Sequence, residues 1–333
     1  LDLGAPLVHL GPDAATLLPA RAAHADDAAD DLADLPPPIA AELAAVLRDA
    51  VDAGRAVAAA YRSPPLPSTS AAPPAPRART ERRTLSITAE PALLDHCFYR
   101  QPAGWPEASD RYPVAPMTMM LAMMRDAALA LAPGQVAIAL EDVAALRWLA
   151  VAPPVEIELR AAAVDGDPAR IAVELVGYAR ATVVVAAAYP KAPAPRTPPL
   201  TGPRPTPVDA TQLYADRWMF HGPGYAGVTA MGPMGDDGVD GELTALPAPG
   251  ALLDCAGQLM GWWVMERETI DRLAMPIRIA RLAFYGADPT PVTRVACAVR
   301  FRGVSAIAAT ADHELVVDGR VWCQIDAWED RRF

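Results

Sequence analysis

The sequence predicts an α+β protein of two similar halves, each an antiparallel sheet wrapped round one central apolar helix. Three observations predict it. Two proline-dense segments, 62–80 and 189–209, interrupt the periodic sequence and leave two stretches of comparable length behind them. Each stretch carries a proline-marked turn, then an apolar helix, then four strand-length runs. The second stretch repeats the first piece for piece, as an internal duplication would.

Taken in order, residues 1–80 form an upstream linker. Within it, 36–62 (PPPIAAELAAVLRDAVDAGRAVAAAYR) places apolar residues at helical spacing after a proline start and predicts an amphipathic helix. The acidic stretch before it, 26–34, reads as solvated. Lobe one, 81–190, has a strand-like piece at 85–88, a turn at 113–116 and an apolar helix at 117–131. Its four strand runs follow at 136–149, 155–164, 169–178 and 181–189. A Pro-rich connector, 191–207, leads to lobe two, 208–333. There a strand-like region at 227–246 precedes the helix in LPAPGALLDCAGQLMGWWVMERE, and strands follow at 276–286, 293–303, 305–317 and 320–328. One helix with such a strand set is the hotdog arrangement, here in tandem, with sites expected between the lobes.

Composition narrows the function classes. A net charge of -11 and the absence of any Lys/Arg block exclude the electrostatic footprint of a nucleic-acid binder. No uncharged apolar run reaches the roughly 18 residues of a membrane span. Cys97, Cys255, Cys297 and Cys323 lie far apart without CxxC spacing, which argues for reduced thiols in a cytoplasmic protein and against a cysteine-ligated structural metal. The start, Leu1-Asp2-Leu3, reads as a cut from a longer polypeptide.

Two places carry candidate chemistry. In LLDCAGQLM, Asp254 and Gln258 stand at i and i+4 on one face of an otherwise uncharged helix. A buried Asp254 is expected to have its pKa raised and to hold a proton as a general acid, with Gln258 orienting it. His96 stands at the corresponding edge of lobe one, and an imidazole there suits abstraction of a C–H proton. A base from one lobe and an acid from the other would remove water from a β-hydroxyacyl thioester. Backbone N–H groups in the turn into Met117, or around Arg100 and Gln101, are candidates to receive the thioester oxygen. Against these stand plainer readings: His96 and Gln258 as hydrogen-bonded structural residues, His221 as structural, and Met117, Met119, Met120, Met123 and Met124 as core that could also line an acyl tunnel. Trp105, Arg100 and Arg111 would cover an entrance or pack their own loop. His9, His24 and His313 are assigned no role.

Four pieces, LLDHCFYRQP with YPVAPMTMM, HGPGY, GALLDCAGQ and WEDRRF, together resemble the dehydratase domains of type I polyketide synthases and polyunsaturated-fatty-acid-type synthases, across residues 82–333. The resemblance implies a double hotdog acting on a β-hydroxyacyl chain held by an acyl carrier protein. It implies His96 and Asp254 as catalytic with Gln258 supporting them, and Arg100, Gln101, Pro116, Met117, His221 and Tyr225 on the substrate side. No cofactor or metal is implied beyond the carrier's phosphopantetheine arm. Neighbouring synthase domains, including an upstream acyltransferase reached through 1–80, are the implied partners, and a homodimer is allowed. Three departures touch oxyanion geometry and substrate choice: Arg100 where the pattern has glycine, a lengthened path over 101–112, and His221 in place of tyrosine. Two alternatives therefore stand beside a dehydratase: a product-template-like aldol cyclase, and a catalytically silent double hotdog that scaffolds or holds acyl chains.

Overall fold

The computed structural model of the chain describes residues 78–333 and the single position Val51. The helix expected at 36–62, the acidic stretch before it and the proline segment up to residue 77 lie outside the described residues.

Lobe one begins with strand β1 (Ala78–Leu85), a two-residue strand β2 (Val114–Ala115) and helix α1 (Met117–Leu129). It continues with β3 (Val136–Ala145), the short β4 (Leu149–Ala150), β5 (Val155–Val164), β6 (Asp167–Leu175) and β7 (Ala179–Ala186). Lobe two has a short helix α2 (Ala210–Ala215), β8 (Val228–Gly235), β9 (Gly238–Thr244) and helix α3 (Ala251–Arg267). Its four later strands are β10 (Ala274–Phe284), β11 (Arg294–Val304), β12 (Ala308–Val317) and β13 (Arg320–Arg332). Eleven strands make one antiparallel sheet in the order β1-β5-β6-β7-β3-β10-β13-β12-β11-β9-β8. Each lobe thus runs from its pre-helix strand at the outside to its first post-helix strand at the centre, where β3 and β10 join the halves from Arg278↔Ala144 to Ala283↔Ala139.

Strict alternation explains the strands. In β5, Ile157, Leu159 and Ala161 are buried while Glu156 and Arg160 face away, and in β7 the buried set is Ala179, Ala181, Val183 and Val185. The buried face of lobe one covers α1, whose Met117 to Leu121 run, Met123 and Met124 are buried almost all round. A helix whose charged residues, Arg125 and Asp126, are confined to its second half suits a sheet on one side and a second helix on the other. Helix α3 enters through Gly250 at φ +76, where any Cβ would overlap the Thr118 backbone, so the first turns of the two helices abut.

One expectation changes, and two regions gain detail. Strand β1 starts at Ala78, inside the expected proline linker, and pairs with β5 from Ala78↔Ala162 to Leu85↔Val155, whereas 87–89 form a turn. Its outward charges, such as Arg82 paired with Glu158, suit an edge strand and hide it from hydrophobic periodicity. The region 227–246 is a hairpin, β8 and β9. The connector docks on lobe two: Glu314 accepts from the Arg196 and Thr197 backbone N–H groups, and Arg204 bridges to Met234.

Candidate active site

A 3-10 turn, Pro91–Asp95, begins with proline and delivers His96 at its end. The His96 ring is buried. Its Nδ1 donates to the Val114 carbonyl at 2.7 Å, because a carbonyl can only accept, so the free lone pair is on Nε2. That nitrogen faces Asp254 Oδ1 of lobe two at 4.0 Å. Desolvation by burial, only partly offset by Asp254, pushes the His96 pKa down to about 4, so the ring is neutral at physiological pH.

Asp254 lies in the first turn of α3, where the helix dipole favours a carboxylate. Gln258, one turn on, donates its Nε2 to Asp254 Oδ2 at 2.8 Å and to the Tyr225 carbonyl at 2.8 Å. Its Oε1 accepts from Tyr214 of α2 at 2.8 Å, and the Tyr214 oxygen accepts from Val228 N at 2.9 Å. Both ends of the amide are therefore fixed. His221 Nε2 sits 3.1 Å from Asp254 Oδ2. Burial alone would raise the Asp254 pKa, but attraction and hydrogen bonding from His221, attraction from His96 and the Gln258 bond hold it below its ordinary value. The expectation of a carboxyl that keeps its own proton is thus corrected. It failed because a partner far off in the chain was not counted.

The loop carrying His221 is clamped to the turn carrying His96. Gly222 N donates to the Asp95 carbonyl at 2.7 Å and Gly224 N to Asp95 Oδ2 at 2.8 Å. A Cβ at Gly222 would collide with the Asp95 carboxylate. Phe220 stacks on His221 with centroids 4.1 Å apart, and Tyr225, fully buried, lies edge-on to His96 at 5.3 Å.

Of the residues singled out from sequence, the fold gathers His96, Asp254, Gln258, His221 and Tyr225. Pro116 and Met117 are buried at the start of α1. Arg100 is exposed, and Gln101 donates to the Asp110 carbonyl of its own loop, where Trp105 also binds Asp110. Asp95, Tyr214 and Phe220 were not foreseen. The capping box Asp209/Gln212 marks α2 in the sequence, but what Tyr214 would reach was not marked. His96, His221 and Asp254 each offer one ligand atom, all within 4.8 Å of one another, and so could hold a metal ion.

A cavity of about 310 Å³ lies beside the two helices, lined by Thr118, Leu121, Arg125, Leu252, Phe284 and Trp322 among others, and by neither His96 nor Asp254. Among the described residues no helix is long and apolar enough to cross a membrane.

A sheet of two wrapped-helix units in one chain, with a histidine of one facing an acid of the other, defines a double hotdog protein. Solved structures share the fold. The dehydratase domain from the CurJ module of curacin polyketide synthase is 14% identical, with a TM-score of 0.59 over 78% of this chain and 93% of that one. The dehydratase domain of a mycocerosic acid synthase-like polyketide synthase is 21% identical, with a TM-score of 0.58 over 80% and 98%. A trans-AT polyketide synthase dehydratase domain from Brevibacillus brevis is 16% identical, with a TM-score of 0.60 over 77% and 94%. At these identities the likeness is one of fold. No protein-family model matches the sequence, and no curated protein does.

Proposed function

We propose that the protein dehydrates β-hydroxyacyl thioesters to α,β-unsaturated thioesters, on chains presented by the phosphopantetheine arm of an acyl carrier protein within a multidomain polyketide or fatty-acid-type synthase. One observation carries the reading: the His96 Nε2 lone pair of lobe one is fixed 4.0 Å from the Asp254 carboxylate of lobe two. The shared fold with solved dehydratase domains supports it.

In this reading His96 Nε2 takes the α-proton, and the electron pair of that C–H bond becomes the new double bond as the Cβ–O bond breaks. The departing hydroxyl takes a proton from the His221–Asp254 pair and leaves as water. For this step the His221–Asp254 pair carries one proton more than a neutral imidazole and a carboxylate together, shared across the 3.1 Å Nε2–Oδ2 contact; that proton goes to the hydroxyl, and the one His96 gains from Cα replaces it after the product leaves. Gln258 and Tyr214 hold the carboxylate in place. The reaction needs no redox change. Neighbouring domains, with an acyltransferase upstream, and a cytoplasmic setting belong to the same proposal.

The test is direct. The purified chain should interconvert a β-hydroxyacyl thioester and its enoyl form, followed by thioester conjugation absorbance and product mass, with the acyl group on a carrier protein or a carrier mimic. Absence of turnover and of α-hydrogen exchange in deuterated solvent would overturn the reading. Ring-closed products from polyketone thioesters would favour a cyclase instead.

A further inference from the structure

Among the described residues, the Asp254 carboxylate has no Lys or Arg partner; its ion-pair partners are His221 at 3.1 Å and His96 at 4.0 Å. Oδ2 is satisfied by His221 and Gln258. Oδ1 faces His96 Nε2, the ring nitrogen left with its lone pair when Nδ1 donates to the Val114 carbonyl. Two acceptors thus point at one another across 4.0 Å in a mostly buried space, with no described side chain donating between them. Two acceptors facing one another have to be bridged, by a donor such as water or by a cation.

We infer that His96, His221 and Asp254 form a transition-metal site of the zinc class, and that its occupancy switches off proton abstraction by His96. Two imidazoles and one carboxylate are a donor set for zinc-like ions rather than for magnesium or calcium, which prefer all-oxygen ligands. Zinc bonds nitrogen and oxygen at roughly 2.0–2.2 Å, so neighbouring ligand atoms of a tetrahedral site sit about 3.4 Å apart. The present distances of 3.1 and 4.0 Å, and the 4.8 Å limit for all three atoms, bracket that spacing, and metal entry displaces the proton between His221 Nε2 and Asp254, which leaves to solvent or moves to His221 Nδ1, a nitrogen without a hydrogen-bond partner.

The surroundings are those of a supported ligand set. His96 gives its other ring N–H to a backbone carbonyl, and the carboxylate is held by Gln258, itself held by Tyr214. Three protein ligands leave a fourth position open to water or to an oxygen of a bound thioester. The inhibitory effect rests on the proposed dehydration, since a lone pair bound to metal cannot accept the α-proton. Metal binding itself does not rest on it.

The chelator-washed full chain is titrated with zinc by calorimetry and with cobalt by visible absorption. One ion per chain and the intense bands of four-coordinate cobalt are expected. His221→Gln and Asp254→Asn should each weaken zinc binding by more than the roughly 10–100-fold that loss of an outer-shell partner costs. Their folding is checked by circular dichroism. X-ray absorption of zinc-loaded wild type, showing nitrogen and oxygen ligands with two imidazoles, gives a readout independent of the variants. Wild type that binds no zinc, or variants that bind it equally well, would overturn the site. Assaying the chelator-washed chain before zinc is added separates the two readings: turnover of that chain with no zinc binding afterwards removes the metal site alone, and no turnover of that chain with zinc binding afterwards removes the dehydratase alone. Full turnover with one zinc bound removes the switch.

Discussion

Counted from their first residues, α1 and α3 run in parallel: Met117 answers to Ala251, Met120 to Asp254 and Met124 to Gln258. In lobe one the last two of these positions are buried thioethers; in lobe two they are the carboxylate and the amide that holds it. The segments before the helices differ in the same sense. Lobe one offers the His96 turn to α3, while lobe two offers the apolar stretch 245–250 to α1, and the cavity beside Thr118 and Leu121 lies there. A duplicated frame therefore presents two equivalent places, of which one carries acid–base groups and the other is lined mostly by apolar side chains. Every polar group buried without partners costs free energy, so a chain needing one reaction has reason to equip one place.

The sharpest way to break this contrast is to remove chemistry from the equipped place. His96→Ala and Asp254→Asn should each lower kcat by about 10²–10⁴-fold in the thioester assay while the protein stays folded. The mirror-image change, Met120→Ala at the position answering to Asp254, should cost about 2–5 kcal/mol in chemical denaturation and leave turnover per folded molecule intact. If Met120→Ala abolished turnover without destabilising the fold, the assignment of the apolar place would be wrong.

Smaller effects sharpen it. Tyr214→Phe removes the donor to Gln258 Oε1 and the acceptor for Val228 N, and should cost about 1–3 kcal/mol of stability together with some loss of activity. The smallest concerns Asp330. Desolvation by burial raises its pKa to about 7, against a 2.7 Å hydrogen bond from Trp328. Between roughly pH 4 and 7 the folded protein keeps a proton that an unfolded aspartate has released. The unfolded state binds fewer protons there, so this group makes stability fall as pH rises through that window, by up to about 1.4 kcal/mol per pH unit. Asp330→Asn should flatten that slope in denaturant melts; an unchanged slope would mean the carboxyl is ionised throughout.

Much of this was legible in the sequence because it is local. Proline turns, alternation and apolar helices placed α1, α3 and the four strand runs expected after each, and the i, i+4 spacing of Asp254 and Gln258 marked the equipped helix. What escaped depends on contacts between distant segments. The ionisation of Asp254 is decided by His221, which reaches it only because Gly222 and Gly224 dock on Asp95. Strand β1 escaped because its outward face is charged, and Tyr214 because its partner lies on another helix. An Asp beside a His is visible in the sequence; that the Asp serves as a clasp for a loop over a hundred residues away is not.

The seam between β3 and β10 has a further effect. Where two separate chains meet along such a seam, dilution dissolves the reaction centre with the assembly. Here one polypeptide carries both sides, so the meeting of histidine and aspartate is an intramolecular event, insensitive to protein concentration and inseparable from folding itself.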